Sequence, residues 1–390
     1  MIDEKKIAQD TIAGRSDALI DLSHRIHANP ELGFEEVQSS VWCAVLLEVS
    51  GFAVQMGVAD LETAFVASTG TGSLHVVICC EYDALPGIGH ACGHNMIAAM
   101  AVGAGLGLRD MADDLDLTVS VFGTPGEEVG DGGGKILMLE RGVFDSVDVA
   151  MMVHPGGSDA GAVPWNAASR FDVHFHGKEA HAAAAPEMGI NALDALTIAQ
   201  TGIGLLRQHL SGDVLVHGII TEGGIAPNIV PAHTAASYLV RAPSMSEMNF
   251  AKQRVLKCFE AGALATGSTM EVVGGDKPYA SVRNDRKLMK AYVANAESLG
   301  REFVPSGAFA GKGAASTDMG NVSQVIPSIH PVIGIDSFPA VPHQPEFADF
   351  AAGPIADKAI IEGSQALAMT AVDVALDATL RAHVVEKRNR

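Results

Sequence analysis

The feature that most constrains this chain is a glycine-rich stretch, residues 81–95, which follows an apolar run at residues 75–80. The run is short and rich in Val, Ile and Cys, which predicts a buried strand of the parallel-sheet kind. Two acids, two histidines and a cysteine follow it, among glycines that allow tight turns. His90, Cys92 and His94 alternate, so all three point the same way if the segment is extended. Imidazole and thiolate are ligands that zinc prefers, so the stretch indicates a metal site; a polar surface turn is the alternative.

Composition narrows the classes of partner. The chain has 390 residues, of which 48% are hydrophobic and 18% charged, enough for two or three domains with a large core and no need of disulfides. A formal net charge of −20 argues against nucleic acid and anionic membrane surfaces. The longest apolar stretch, residues 96–108, is too short to span a bilayer. Five cysteines form no paired framework and the first residues do not resemble a signal peptide, so we expect a cytoplasmic protein.

Four apolar segments, at residues 75–80, 117–122, 147–153 and 325–335, are predicted to form strands separated by helices. Such alternation predicts an α/β fold with a mainly parallel sheet. Ligands bind outside the carboxyl ends of the strands in sheets of this kind. Each of the four segments is followed by a His, Cys or Glu: Cys92 and His94, Glu127 and Glu128, His154, and His343. This convergence is the strongest physical indication of a functional site in the sequence.

Between these segments the pattern changes to that of a smaller domain. Its predicted order is β-α-β-β-α-β, with strands at 171–176, 214–221, 235–241 and 269–273 and helices at 189–210 and 246–266. This is the order of a ferredoxin-like α+β sandwich. We therefore expect residues 170–280 to form a domain inserted into a larger one made of residues 1–169 and 281–390. The edge strands of the insert offer a way for two subunits to pair.

Five motifs together resemble one family of metal-dependent amidohydrolases. They are Glu81-Tyr-Asp-Ala-Leu-Pro, His90-Ala-Cys-Gly-His94, Gly126-Glu-Glu128, Gly177-Lys-Glu-Ala-His181 and Pro342-His-Gln-Pro-Glu-Phe347. The family is that of the aminoacylases and carboxypeptidase-G-like metallopeptidases, and the likeness runs from Asn29 to the end of the chain. Asn95, where many members have Asp, is similar to the p-aminobenzoyl-glutamate hydrolase and β-alanyl-lysine dipeptidase branch.

The resemblance implies a catalytic domain that holds two divalent ions per subunit, zinc or manganese, with cobalt as a further option. The matching ligands are Cys92, His94, Glu128, His154 and His343. Two close cations can clamp a carbonyl oxygen and activate a water molecule as the nucleophile. Glu127 matches the general base, and Asp83 matches the carboxylate that orients the site. The alternatives are that Glu127 and Glu128 only favour a helix N-terminus, and that Asp83 is an ordinary turn residue.

For the inserted domain, the resemblance implies a lid that also forms a homodimer. His181 matches a histidine that enters the partner's site and polarises the scissile carbonyl. Asn228 and Arg241 match residues near the substrate carboxylate. As alternatives, His181 caps a loop and Asn228 forms a turn. The resemblance gives no role to Glu81, Asn95, Asp318 or His330, and Glu81 stands where related dizinc peptidases have a histidine ligand.

The function that these residues imply is hydrolysis of an amide bond in an N-acyl- or aminoacyl-amino acid, a small substrate with a free carboxylate. One alternative is a dipeptidase that requires a free substrate amine, such as one acting on β-alanyl dipeptides. A catalytically silent ligand-binding relative is the other, although every matching catalytic residue is present. We expect the loops at residues 155–168 and 305–316 to shape the pocket, but they indicate no particular substrate.

Overall fold

The computed structural model describes residues 3–161, 163–305 and 315–388, so most of the predicted pocket loop at 305–316 lies outside the described residues. Within these ranges the strands are β1 (Ala53–Met56), β2 (Phe65–Thr69), β3 (Leu74–Cys80), β4 (Leu117–Gly123), β5 (Val149–Met151), β6 (His154–Gly156), β7 (Ala167–His176), β8 (Leu215–Glu222), β9 (His233–Ala242), β10 (Thr269–Val273), β11 (Ser328–Ile329) and β12 (Val332–Gly334). The α-helices are α1 (Glu4–Ala13), α2 (Ser16–Ala28), α3 (Val37–Val49), α4 (His94–Leu108), α5 (Gly134–Glu140), α6 (Ala192–Leu206), α7 (Met245–Thr266), α8 (Arg286–Ser298), α9 (Met319–Val325), α10 (Pro345–Phe350), α11 (Pro354–Leu376) and α12 (Ala378–Arg388).

A six-stranded sheet organises the larger part of the chain, in the order β1-β2-β4-β3-β5-β11. Neighbouring strands from β4 to β11 are parallel, which confirms the predicted mainly parallel α/β class. The antiparallel pair β1 and β2 extends one edge and was not predicted. The carboxyl ends of β3 and β4 lie side by side, with Cys80 opposite Gly123.

Two of the predicted strands are interrupted. The segment at 147–153 forms β5 and is followed by β6, and the segment at 325–335 forms β11 and β12, which pair with β5 and β6 respectively. Pro331, between β11 and β12, has no backbone N–H to continue a ladder. The interruption matters for the site, because His154 begins β6 at the edge where the other candidate ligands collect.

Helices α4 and α11 form the centre of the larger core. Every residue of α4 is buried, as its small apolar sequence predicts. Helix α11 is long enough to cross a membrane and has a mean hydropathy of 1.3, but 72% of that window is buried inside the fold. Such burial is typical of the core helix of a soluble domain, so α11 is weak evidence for a membrane segment.

The second part of the chain forms a four-stranded antiparallel sheet in the order β10-β7-β9-β8. Helices α6 and α7 pack against it, and together they enclose a separate hydrophobic cluster between Ala167 and Phe259. The order β7-α6-β8-β9-α7-β10 is the predicted β-α-β-β-α-β sandwich. The limits of the insert at residues 170 and 280 remain a prediction. Strand β8 ends the sheet and leaves one edge open.

Asp285 fastens the last helix to the body of the larger part. Its Oδ1 accepts hydrogen bonds from the backbone of Lys287 and Leu288, which caps α8. Its Oδ2 accepts from His383 Nε2 at 2.9 Å and from Lys387 Nζ at 2.7 Å, both on α12. Burial raises the pKa of Asp285, but these donors outweigh it and bring the pKa from 3.8 to about 2.

We expect Asp285→Ala to lower the free energy of unfolding by about 2 kcal/mol, since it removes a helix cap and leaves two cations without their acceptor. Because the pKa of Asp285 is lowered on folding, its contribution is present above pH 4 and is lost as the pH falls toward 2. Urea unfolding between pH 3 and 7 measures both effects. Asp285→Asn keeps a capping oxygen and should lose less; equal losses in the two variants would contradict the capping role.

Candidate active site

The ends of β3, β4 and β5, together with the start of α10, bring the predicted ligands into one cluster. It contains Asp83, Cys92, His94, Glu127, Glu128, His154 and His343. Apart from His343, whose side chain is 54% exposed, these side chains lie below the surface. The convergence expected from strand order is therefore present in the structure.

Cys92 belongs to two groups of donor atoms. In the first, Cys92, His94 and His154 each have a donor atom within 4.8 Å of the others. In the second, Cys92 lies equally close to Glu128 and His343. The thiol therefore stands between two sets of donors, which is the arrangement that a pair of ions with a shared ligand requires.

Hydrogen bonds orient the donors of both groups. His154 Nδ1 lies 2.7 Å from the carbonyl oxygen of Pro155, which fixes the ring so that Nε2 faces Cys92 Sγ at 3.4 Å. In the second group, His343 Nε2 lies 3.4 Å from Glu128 Oε1. His343 has a φ of 71°, and its backbone N–H donates to the carbonyl oxygen of Ala91.

The donor atoms fit divalent metal ions. His94 Nε2 and Glu128 Oε1 are buried without a hydrogen-bond partner in the described part of the chain, and such orphaned atoms are costly unless a ligand satisfies them. Burial raises the pKa of the Cys92 thiol well above its ordinary value, and the charge of Glu128 acts in the same direction. A nearby cation reverses this effect and stabilises the thiolate. The set of thiolate, imidazole and carboxylate donors therefore matches zinc and related ions.

Asp83 connects two of the ligands. Its Oδ1 lies 2.9 Å from His94 Nδ1, and its Oδ2 accepts a hydrogen bond of 2.8 Å from the backbone N–H of Glu128. Burial lowers the pKa of His94, but the charges of Asp83 and Cys92 outweigh it and raise the pKa well above 6.5. The first contact directs His94 Nε2 toward the cluster, and the second holds the turn that carries Glu128.

We expect Asp83→Asn to weaken metal binding by about 10–100-fold, because an amide cannot accept at both positions with the strength of a carboxylate. Competition with a chromophoric chelator would measure the affinity. Asp113→Asn, at an exposed acid far from the cluster, serves as the control. Wild-type affinity in Asp83→Asn would show that the carboxylate has no orienting role.

Glu127 is held in a fixed turn beside the ligands. Gly126 has a φ of 67°, and a Cβ there would approach the ring of Phe34 to 2.8 Å, so the turn requires glycine. The Gly126 N–H donates to Glu36 Oε1 at 2.7 Å, and Tyr279 Oη donates to the carbonyl oxygen of Glu127 at 2.6 Å. These bonds fix the backbone while the side chain remains available.

The carboxylate of Glu127 faces the donor atoms. Its Oε2 lies 3.9 Å from His94 Nε2. Burial, followed by the charges of Glu128 and Glu81, raises the pKa of Glu127 well above its ordinary value. A carboxyl with a raised pKa is suited to taking up and returning a proton near neutral pH. The two glutamates lie in a 3-10 turn, Glu127–Val129, rather than at the start of an α-helix, which removes the alternative of a simple helix N-terminus.

Lys135 was not anticipated from the sequence. Its side chain is fully buried, and Nζ lies 2.5 Å from both Glu81 Oε1 and Asp318 Oδ1. The other Glu81 oxygen lies 3.5 Å from His94 Nε2. The ammonium group thus supplies a cation at the base of the cluster and gives a structural role to Glu81 and Asp318. The signal in the sequence was a single lysine among the apolar residues of α5.

Several residues of the motif have other surroundings than the alternation suggested. His90 does not join the donor groups found among the described residues, and its ring lies 6.2 Å from that of His27. Gly93 has a φ of 78° and α4 begins at His94, so the segment is not extended. Asn95 Nδ2 donates to Ser23 Oγ and to the carbonyl oxygen of Ala351, which anchors α4.

His330 lines the cluster without joining it. Its ring lies 5.7 Å from that of His154 and 4.4 Å from that of Trp165. Burial, followed by the charge of His154, lowers the pKa of His330 to about 3, so the ring is neutral. The rings of His330 and Trp165 therefore form a wall beside His154.

The three predicted residues of the insert divide into two places. Arg241 Nη1 donates to Ser316 Oγ at 2.8 Å. Burial lowers the pKa of Arg241, and the charges of Glu127 and Glu128 oppose this, which places the guanidinium near the cluster. His181 and Asn228 lie in two exposed segments that pair with each other.

The ring of His181 caps its own turn. Its Nδ1 accepts hydrogen bonds from the backbone of Ala183 and Ala184, both at 3.2 Å, which leaves Nε2 as the outward atom. Within the described ranges, neither His181 nor Asn228 bonds to a residue of the cluster in its own chain.

Comparison with known proteins agrees with the resemblance that these motifs carry. The profile of Peptidase family M20/M25/M40 matches residues 78–371. The chain is 40% identical over 386 residues to a Xaa-Arg dipeptidase from Mus musculus, covering 95% of this chain and 88% of the relative. It is 35% identical over 310 residues to a p-aminobenzoyl-glutamate hydrolase chain from Escherichia coli, covering 73% and 63%. A dinuclear metal binding peptidase of the M20 family from Bacillus subtilis shares the fold, with a TM-score of 0.67, 23% identity and coverage of 93% and 99%.

Proposed function

Because the chain belongs to peptidase family M20/M25/M40, we propose that it hydrolyses the amide bond between an acyl or aminoacyl group and an amino acid with a free carboxylate. The predicted family is thereby confirmed, and the predicted reaction class agrees with the names of the relatives. The observation that carries the proposal is Glu127, a buried carboxyl of raised pKa that faces two donor groups sharing Cys92.

Each residue of the cluster has a proposed role. Cys92, His94, Glu128, His154 and His343 hold two divalent ions, zinc or manganese, with cobalt as a further option. When bound, such ions act as Lewis acids toward a carbonyl oxygen and lower the pKa of water. Asp83 orients His94 and the turn of Glu128. Glu127 accepts a proton from the attacking water at a carboxylate oxygen and later donates it to the nitrogen of the leaving amine.

Arg241 is proposed to bind the substrate carboxylate. Its guanidinium is half-buried and near Glu127 and Glu128, so an anion held there lies beside the reacting groups. A guanidinium can bind a carboxylate through two parallel hydrogen bonds. We assign Asn228 to the same end of the substrate, as the resemblance implies, with free amino acid carboxylates as the shared chemistry.

We propose that the protein is a homodimer in which His181 serves the partner's site. The support is its exposed position with Nε2 outward, and the open edge of the insert at β8. Ile219 on β8 is 66% exposed, an unusual position for a large apolar residue on an edge strand. In the partner's site, His181 would donate a hydrogen bond to the carbonyl oxygen as negative charge develops.

We expect Ile219→Lys to shift the protein toward monomer and to lower activity with it, because a charge on an open edge opposes strand pairing. Light scattering across a dilution series measures the assembly. Leu264→Lys, on the far helix α7 and 87% exposed, is the control. A wild-type protein that is monomeric at assay concentration yet fully active would refute the shared site.

A dipeptidase is the second candidate for the substrate class, favoured by the 40% identity to a Xaa-Arg dipeptidase. It differs from the first in requiring a free substrate amine. We also propose a cytoplasmic location, since the five cysteines are free thiols, as expected in a reducing compartment.

The test is hydrolysis of an amide panel by chelator-treated protein, before and after addition of zinc, manganese or cobalt. The panel contains N-acetyl-amino acids, p-aminobenzoyl-glutamate, β-alanyl dipeptides and dipeptides ending in arginine, each dipeptide also with a blocked amine. Turnover that returns with metal supports the proposal, and loss on amine blocking selects the dipeptidase. Absence of turnover on every compound with metal bound would favour the silent relative.

A further inference from the structure

The open face of the inserted sheet carries three histidines that the proposed reaction does not use. His174 and His176 are two residues apart on β7, so they share a face. His233 on β9 is the direct cross-strand partner of His176. Residues between them, such as Phe175 and Thr234, are buried toward α6 and α7, so the histidines lie on the face without helices.

The three rings are in close contact. The rings of His176 and His233 are 4.9 Å apart between centroids, and those of His174 and His233 are 5.5 Å apart. His174 Nδ1 lies 3.3 Å from His233 Nε2. Two imidazole nitrogens that bind one tetrahedral zinc ion, each at about 2.0–2.1 Å, are separated by about 3.3 Å. The observed distance therefore equals the edge of a tetrahedral metal site.

Carboxylates support the arrangement from outside. Glu222 Oε2 lies 2.9 Å from His233 Nδ1, and Glu271 Oε2 lies 3.7 Å from His176 Nε2. A carboxylate that accepts the Nδ1–H of His233 leaves the lone pair of Nε2 directed at His174. This is the arrangement by which carboxylates fix the tautomer and orientation of metal-binding histidines.

We propose that His174, His176 and His233 form a binding site for one divalent transition ion of the zinc class, separate from the catalytic pair. His174 Nδ1 and His233 Nε2 supply the first two ligands. His176, whose side chain is 50% exposed, supplies the third by rotation of its ring. Glu222 orients His233, and water or Glu271 completes the tetrahedron.

The location gives the site a structural consequence. It joins β7 to β9, the central pair of the inserted sheet, close to the end of β8, which carries Glu222. An ion bound there links three of the four strands of the insert through Glu222. Occupancy of the site should therefore raise the thermal stability of the insert without changing the ligands of the catalytic cluster.

A direct hydrogen bond between His174 and His233 is the competing interpretation of the 3.3 Å distance, and metal titration separates the two. Protein carrying its catalytic ions is titrated with zinc or nickel in a calorimeter, and metal content is measured after desalting. We expect one further equivalent per subunit, with binding lost in His233→Asn and His174→Ala. Glu222→Gln should bind about 10–100-fold more weakly. His209→Ala, at an exposed histidine outside the group, is the control.

Nickel difference absorption provides a second readout that does not depend on activity, since imidazole ligands give the bound ion a characteristic spectrum. Circular dichroism confirms that each variant is folded. Equal metal content and equal spectra in wild type, His174→Ala and His233→Asn would overturn the proposal and leave a hydrogen-bonded histidine pair.

Discussion

Glu127→Gln is expected to lower kcat by about 10²–10⁴-fold, the usual contribution of a positioned general base. The carboxyl is buried and faces the donor atoms, with Oε2 at 3.9 Å from His94 Nε2. Its backbone is fixed by Tyr279 and by the Gly126 turn, so the amide should occupy the same place. A glutamine in that place cannot accept the proton of the attacking water.

The measurement is steady-state kinetics on the best substrate of the panel, together with metal content by mass spectrometry. We expect unchanged metal content and a KM near that of wild type, because Glu127 is not among the five proposed ligands. Glu140→Gln, at an exposed acid that ends α5, is the matched control. If Glu127→Gln retained more than about a tenth of kcat, proton transfer by another group would have to be assigned.

The parallel part of the fold could be predicted because its strands are continuous apolar runs that end in chemically distinctive residues. β3 and β4 extend over Leu74–Cys80 and Leu117–Gly123, within one residue of the predicted runs. The edge strands β1 and β2 were missed because they are short and partly exposed, so neither alternation nor a continuous run marks them. Strand order, rather than any single motif, explains why distant residues meet.

Within the site, local spacing misled where the backbone turns. The alternation of His90, Cys92 and His94 indicates three ligands only if the chain is extended, but the left-handed Gly93 starts a helix at His94. A buried cation is equally hidden in sequence, because Lys135 on a short helix resembles a solvent-exposed lysine. Its partners Glu81 and Asp318 are 54 and 183 positions away, respectively. Only the folded chain shows that these three charges neutralise one another.

We expect Lys135→Met to lower the free energy of unfolding by about 3–5 kcal/mol, the cost of leaving buried charges without a partner. The methionine fills a similar volume, so the loss reports charge rather than a cavity. Burial lowers the pKa of Lys135, but Asp318 and Glu81 outweigh it and raise the pKa well above 10.5, so the ammonium remains charged. Removing it leaves two carboxylates of like charge in the core.

Urea unfolding of metal-free protein measures this effect without contributions from bound ions. Lys287→Met, at an exposed lysine on α8, controls for loss of a positive charge. Adding Asp318→Asn to Lys135→Met should recover part of the stability, because it removes one of the unpaired carboxylates. If Lys135→Met were as stable as wild type, Glu81 and Asp318 would have to be protonated in the native protein. The buried lysine would then not be the cation that keeps Glu81 ionised beside His94.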